Sequence, residues 1–358
     1  MATTETNTEN IETTEAVENT EATVAPVLPF SLQAILNPEV SHVAKSTDGL
    51  VITSYGLGGV GKTPVAVKME KPYYIAFGKS GLSGINNIPF QPIKNWADLK
   101  RFFATLTDPR NFEQLHQHFQ TIILDEMEIA WKYCEEFLCQ TNGVTKIKEG
   151  NSGYGLWQEL QNEWESEMLK IIGSGFCVHF ILHATIGEDG TAIPVGDKKR
   201  MLPIILNHSE IIGYVEGNGV DEATGKRIHS SMILAGSPGH CFARTRNDYF
   251  DVKIEDYTAE SLIKAYYDAL DRQEKVEGVA PVSRAERDKQ FETETRSFDE
   301  VMDEIQEVAQ KVVDKFGGTN ELQEVVESVL GAGKMVADCT PKQQQAVEVI
   351  LSKLRALL

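Results

Sequence analysis

Apolar and polar positions change period along this chain in a way that divides it. Between residues 49 and 273, short and mostly apolar runs at 50–55, 73–77, 121–124 and 176–182 have the look of buried strands. They alternate with stretches at helical spacing, which predict helices over 127–137 and about 156–172. In the second of these, Trp157, Leu160, Trp164 and Met168 share one face and are expected in the core. Strands alternating with helices predict an α/β fold built on a mostly parallel sheet. After residue 184 the character shifts. Residues 211–216, 227–235 and 240–246 read as antiparallel strands, the last two joined by the turn Gly236-Ser237-Pro238-Gly239.

Helical spacing returns near the end. Phe298, Val301, Met302, Ile305, Val308, Ala309, Val312 and Phe316 mark one apolar face, stopped by Gly317-Gly318. A final helix begins with Thr340 as N-cap, Pro341 at the first helical position and Gln343 in capping-box register, and carries Val347, Ile350, Leu351 and Leu354. The expected division is a disordered acidic tail over 1–40, a core over 41–273, a charged linker over 274–297 and a small all-helical domain over 298–358. A helical unit of about 60 residues is marginal as an independent fold.

Composition narrows the classes. The 358 residues are 41% apolar, enough for a substantial core. No run approaches the roughly 20 apolar residues that span a bilayer, and no basic-then-apolar leader opens the chain. A cytoplasmic address without a membrane partner is therefore expected. A net charge of −19 argues against a surface that attracts nucleic acid everywhere, so any DNA contact must be local. Six glutamates and no Lys or Arg fall within residues 1–30. The five cysteines are odd in number and form no C-x-x-C pair, so they read as reduced packing residues and not as a disulfide framework or zinc site.

The chemistry begins after the first strand. Gly56-Leu57-Gly58-Gly59-Val60-Gly61-Lys62-Thr63 satisfies G-x-x-x-x-G-K-[ST]. Its glycines let the backbone curl so that N–H groups face an anion, and a helix starting at Lys62 is expected to add its dipole. Lys62 supplies charge for terminal phosphates, and the Thr63 hydroxyl is placed to ligate Mg²⁺. Downstream, residues 121–124 end in Asp125-Glu126. Asp125 suits the water shell of a bound Mg²⁺, and Glu126 suits a base that orients water. The plainer alternative is that both acidic residues cap the following helix.

Three further features could surround such a pocket. His183 ends an apolar run and is placed to sense a γ-phosphate, or else to bond the backbone. Arg244 and Arg246, two apart on an expected strand, leave the same face and suit a finger reaching a neighbouring subunit, or else pair with Asp248 or Asp251. Two glycine-bearing loops carry Lys146 and Lys148, and Lys198, Lys199 and Arg200; each is a candidate contact for single-stranded DNA or a solvated run.

Taken in order, these motifs resemble the phage-encoded RecA-like P-loop ATPases, AAA-type nucleotide-binding proteins that include the single-strand-annealing recombination group. The likeness covers about residues 45–270. It implies a RecA-like P-loop NTPase core with a mostly parallel sheet and C-terminal antiparallel strands, with ATP and Mg²⁺ as cofactors. It also implies assembly into a homo-oligomeric ring or filament, single-stranded DNA as partner, contact with replication or recombination proteins, and Arg244 and Arg246 acting in trans. The reading that follows is a slow, DNA-stimulated ATPase of DNA recombination or annealing. A nucleotide-gated scaffold with little hydrolysis and a replicative helicase or helicase loader are the alternatives. Two departures stand out. RecA-type cores carry a catalytic Glu after the second strand, where this chain reads Ile75-Ala76-Phe77-Gly78-Lys79, and Pro64 follows Thr63 where an N–H donor is usual.

Overall fold

The computed structural model describes residues 35–79, 81–291 and 296–358, so the expected acidic tail lies almost wholly outside the described residues. Strand β1 (Val51–Gly56) is buried at all six positions, as a strand with partners on both edges and layers on both faces must be. Val51 and Tyr55 face one layer of core and Ile52 the other, the period-two alternation of a strand. The loop after it leads into α1 (Lys62–Ala66), and the chain continues through β2 (Pro72–Ala76) and β3 (Phe90–Pro92). Helices α2 (Trp96–Leu106) and α3 (Pro109–His118) precede β4 (Thr121–Asp125), and α4 (Met127–Thr141) and α5 (Trp157–Ile172) precede β5 (Cys177–Ile186). Next come β6 (Ala192–Pro194), α6 (Leu202–His208), β7 (Ile211–Glu216), β8 (Ser231–Ile233), β9 (Arg244–Thr245) and β10 (Lys253–Ile254). The chain closes with α7 (Ala259–Glu277), α8 (Arg284–Lys289), α9 (Phe298–Phe316), α10 (Asn320–Leu330) and α11 (Gln344–Arg355).

The sheet runs β10-β8-β7-β1-β5-β4-β2-β3, with β6 added to β5 and β9 to β7. Pairings from β7 across to β3 are parallel. The strand that feeds the phosphate loop and the strand that ends in Asp125 are thus not neighbours; β5 lies between them and sets His183 opposite Gly56. One face packs Phe103, Leu160, Trp164 and Phe180, with Trp96 and Trp164 stacked at 5.6 Å and Trp131 edge-on to Trp164. The other face packs Ile52, Met69, Ile211, Met232 and Leu262. This is the α/β architecture that the alternating pattern requires, with a helical region after it.

Several details differ from the pattern-based expectation. The segment 211–216 is not an antiparallel strand only: β7 runs parallel to β1 and antiparallel to β8 and β9. The strands expected over 227–235 and 240–246 shrink to β8 and β9, which pair with opposite ends of β7 and not with each other. Gly236, pressed against the backbone of Cys241 and Ala243, forces the turn between them. Strand β5 runs on to Ile186 because residues 184–186 pair with β6, so His183 lies within a strand and not at its end. Trp157 is 38% exposed and does not join Leu160, Trp164 and Met168 in the core. Part of the segment 274–297 is tied to the core, since Val282 bridges Ala44 and Arg284 donates to the Asp48 carbonyl.

The chain divides into two compact units after Arg287. In the second, Val301, Ile305, Val308 and Val312 of α9 pack with Val347, Ile350, Leu351 and Leu354 of α11. Ser297 caps α9, Gly317 ends it in the left-handed conformation, and Thr340 forms its capping box with Gln343. Glu304 is held between Arg296 and Arg355. Among the described residues, no helix is long and apolar enough to cross a membrane.

Candidate functional site

The phosphate loop is an open curl at the carboxyl end of β1. Gly59 and Gly61 have φ of 80° and 93°, which side chains adopt only with strain. Nothing lies within 4 Å of where their Cβ atoms would stand, so conformation and not crowding calls for glycine, and the concavity stays free. The loop's carbonyls are engaged elsewhere. Lys62 Nζ donates to the carbonyls of Gly56 and Leu57 at 2.9 Å each, Arg227 to Gly59 at 2.7 Å and Ser230 Oγ to Val60 at 2.6 Å.

The last bond explains Pro64. In a helix the N–H of residue 64 would seek the carbonyl of residue 60, and proline has none to give. Ser230 fills the place. The first helical bond is then Val65 N–H to Gly61 O at 3.2 Å. Helix α1 starts at Lys62 as expected but lasts only five residues. A macrodipole needs aligned turns, so the expected dipole contribution is small, and the loop N–H groups and Lys62 carry the attraction for an anion. Lys62 is 6% exposed. Burial lowers its pKa, and the charges of Asp125 and Glu128 work against that shift.

Asp125 sits at the end of β4, also nearly buried, and accepts three bonds: from Thr63 Oγ1 at 2.6 Å, from the Tyr74 hydroxyl at 3.0 Å and from the Glu126 N–H at 2.9 Å. Burial pushes its carboxyl above the usual range, and these donors pull it back. The two motifs therefore meet through one hydrogen bond. Thr63 Oγ1 and Asp125 Oδ2 are hard oxygen donors converging on one point beside Lys62, which fits a small divalent cation held by few protein ligands. Gly81 is needed here, because a Cβ on it would collide with the Tyr74 hydroxyl.

Glu126 is held at φ 60°, ψ 47°, a left-handed conformation that costs a non-glycine residue about 1–2 kcal/mol. That conformation ends β4 and starts α4 within one residue. A Cβ on Gly78 would stand 2.6 Å from Glu126 Oε2. The glycine after β2, where a RecA-type core has its carboxylate, thus makes room for this one.

Glu128, which the motif reading passed over, completes the cluster. Strand β4 stops at Asp125 while β5 continues, and the last pair between them is Leu124 with Phe180. The Glu128 carboxylate, on the first turn of α4, takes the place of a strand partner: it accepts the His183 N–H at 3.0 Å and lies 3.3 Å from His183 Nδ1. Burial favours the neutral acid, but the bonds from His183 outweigh it and hold Glu128 below its ordinary pKa. The same hydrogen bond raises that of His183, against burial and the charge of Lys62. His183, half-exposed, is fixed beside the phosphate loop by a carboxylate.

Arg244 and Arg246 are elsewhere. β9 pairs with Ile211 and Ile212, at the start of β7 and far from the loop. Both guanidinium groups do leave one side, but they bond the last carbonyls of α6, Arg244 to Leu206 O at 2.7 Å and Arg246 to Asn207 O. Asp251 pairs instead with Arg272 at 2.8 Å. The two basic loops, by contrast, come together. Arg200 lies 4.7 Å over the ring of Trp157, which opens the helix after the first loop, and its charge is shared with Asp197 at 3.4 Å. Lys146, Lys148, Lys198 and Lys199 are exposed. Tyr154 is 85% exposed at the end of a segment in which Asn151 and Ser152 have φ of 50° and 55°. An open groove of ≈ 530 Å³ beside them is lined by Lys146, Lys148 and Trp157 but also by Glu135 and Glu136.

Tyr74, Glu128, Arg227 and Ser230 are the site residues that the motifs did not reveal. Glu128 had a faint signal, an acidic residue three positions after Asp125 on a helix. Tyr74 carried a weaker one, a hydroxyl inside an apolar strand. Arg227 and Ser230 carried none, since their partners are more than 160 positions away.

Residues 48–246 match the family described as AAA domain. A SPbeta prophage-derived uncharacterized protein, YorG, of Bacillus subtilis (strain 168) is 42% identical over 324 residues, covering 90% of this chain and 98% of the relative.

Proposed function

Because the chain belongs to the AAA-domain family, we propose that it is a phage-associated ATPase whose nucleotide state governs assembly on single-stranded DNA during recombination or annealing. One observation carries the nucleotide half: Thr63 Oγ1 meets Asp125 Oδ2 at 2.6 Å beside the buried Lys62, at the mouth of an open glycine curl. Gly56, Gly58, Gly59, Val60 and Gly61 shape the cradle, and Lys62 neutralises the terminal phosphates. Thr63 and Asp125 would hold Mg²⁺, which would offset the charge of the phosphates. Glu126 orients the attacking water and accepts its proton. His183, steadied by Glu128, donates toward the γ-phosphate end.

The Arg200–Trp157 contact unites the two basic loops into one surface, with an exposed Tyr154 available for base stacking. Arg244 and Arg246 lie at the end of the sheet away from this chain's own loop, which suits service to a neighbouring subunit in a ring or filament. The prophage origin printed for the similar Bacillus protein supports the phage setting. Gly78, in place of a carboxylate after β2, favours a second reading, a nucleotide-gated scaffold that hydrolyses little.

ATP turnover by the full chain with and without single-stranded DNA separates these. The first reading expects slow turnover that DNA raises, loss of nucleotide binding in Lys62→Ala, and a Glu126→Gln variant that binds ATP but scarcely hydrolyses it. Binding without turnover would favour the scaffold, and turnover surviving in Glu126→Gln would remove that residue's role. Charge reversal of Lys198, Lys199 and Arg200 should weaken salt-sensitive binding to single strands; unchanged affinity would discard the loop surface.

A further inference from the structure

Two of the donors that hold the phosphate loop come from a segment with no motif. After β7 the chain leaves the sheet as a two-stranded arm. Val220 bridges Arg227 in antiparallel fashion, Ile228 N–H donates to Gly219 O at 3.0 Å, and Asp221 N–H donates to Lys226 O at 2.8 Å. Asp221 closes the tip by accepting the N–H groups of Ala223 and Thr224 at 2.8 and 3.1 Å. Residues 222–229 are exposed. The base of the arm is fastened where Ser230 Oγ reaches Val60 O and Tyr257 N–H reaches Ser230 O at 2.8 Å.

We propose that Arg227 is a second cationic ligand for the phosphates of the bound nucleotide, supplied in cis, and that the arm over 217–230 closes on the loop when nucleotide binds. The proposal rests on the reading of the loop as an ATP site. Charge is the first argument. Asp125, Glu126 and Glu128 stand around the pocket against Lys62, and a magnesium–triphosphate unit brings further negative charge, so an added cation is favoured there. Position is the second. Arg227 already has one N–H on Gly59 O, in the middle of the loop, and a guanidinium has five donors in a rigid fork that suits phosphate oxygens. The third is anchorage: Ser230 fixes the arm to the next carbonyl along, so little motion is needed to bring Arg227 over a ligand in the curl.

Titration of the full chain with a fluorescent ATP analogue tests the contact. Arg227→Ala and Arg227→Gln should each raise Kd about tenfold with the thermal midpoint unchanged, and Arg227→Lys should fall between them and wild type. If Arg227 merely props Gly59, the glutamine amide can still donate to that carbonyl; wild-type affinity in Arg227→Gln would overturn the proposal. Trypsin tests the closure, because Lys226 and Arg227 are cleavage sites in the exposed arm. A saturating non-hydrolysable ATP analogue should slow cleavage there severalfold, and an unchanged rate with analogue bound would refute it. A wild-type chain that binds no nucleotide would remove the underlying reading and this proposal together, a result distinct from either failure above.

Discussion

His179 should make the core unit acid-sensitive by an amount that the structure sets. It lies in β5 between Ile52 of β1 and Ile123 of β4, fully buried. Its Nε2 is 2.8 Å from Ser54 Oγ, and its Nδ1 is 3.2 Å from Met69 Sδ. Among the described residues no carboxylate compensates a charge there, and burial lowers its pKa from 6.5 to about 3. In the unfolded chain the imidazole returns to its ordinary value, so between those limits the unfolded state binds the extra proton. Stability is therefore intact above about pH 6.5 and falls as pH drops toward 3, by up to about 1.4 kcal/mol per pH unit. Between pH 7.5 and 4.5 the loss attributable to this residue is about 3 kcal/mol, a large share of a typical domain's stability. Urea unfolding across that range, followed by tryptophan fluorescence, isolates the core unit, because all four tryptophans precede residue 165. His179→Gln keeps a donor for Ser54 but cannot take up a proton, so the variant should lose about 2–3 kcal/mol less than wild type over the range. Parallel pH profiles for the two proteins would refute the argument.

Three other outcomes follow from the site. Tyr74→Phe removes one of the three donors to a buried carboxylate and should lower stability without ligand by about 1.5–3 kcal/mol; a denaturation midpoint equal to wild type would show that water replaces the hydroxyl. Glu128→Ala should release His183 and slow turnover about 10- to 100-fold while ATP affinity changes little, whereas Glu128→Gln, able to accept the same N–H, should keep more of the rate; single-turnover measurements distinguish the two. Pro64→Ala restores an N–H near the α-phosphate and should tighten ATP binding two- to threefold, about 0.5 kcal/mol; weaker binding, from disturbance of the Ser230–Val60 bond, would contradict this.

The features legible in the sequence were those whose physics is local. The apolar runs before Gly56 and Asp125 read as strands because they are short and almost wholly apolar, and the glycines at 59 and 61 announce the curl that their φ values confirm. The cap at Thr340 is equally local. Topology was harder. The segment 211–216 reads the same whether its neighbours are parallel or antiparallel, and its place beside β1 depends on partners far along the chain. Trp157 fits a helical core face by spacing alone; it is exposed because it opens the helix, where an arginine from a distant loop covers it. Glu128 was hidden for a related reason, since an acidic first turn is expected of any helix, and only the overrun of β5 past β4 gives this one a task.

The brevity of α1 has a consequence for the order in which the protein matures. A loop backed by a five-residue helix has little to brace it locally, and its bracing comes from Arg227 and Ser230, while β5, which follows both motifs in the chain, lies between β1 and β4. On the ribosome, the stretch bearing Lys62 emerges long before either support exists. A nascent chain should therefore gain its grip on triphosphate abruptly, only once synthesis has passed Ser230.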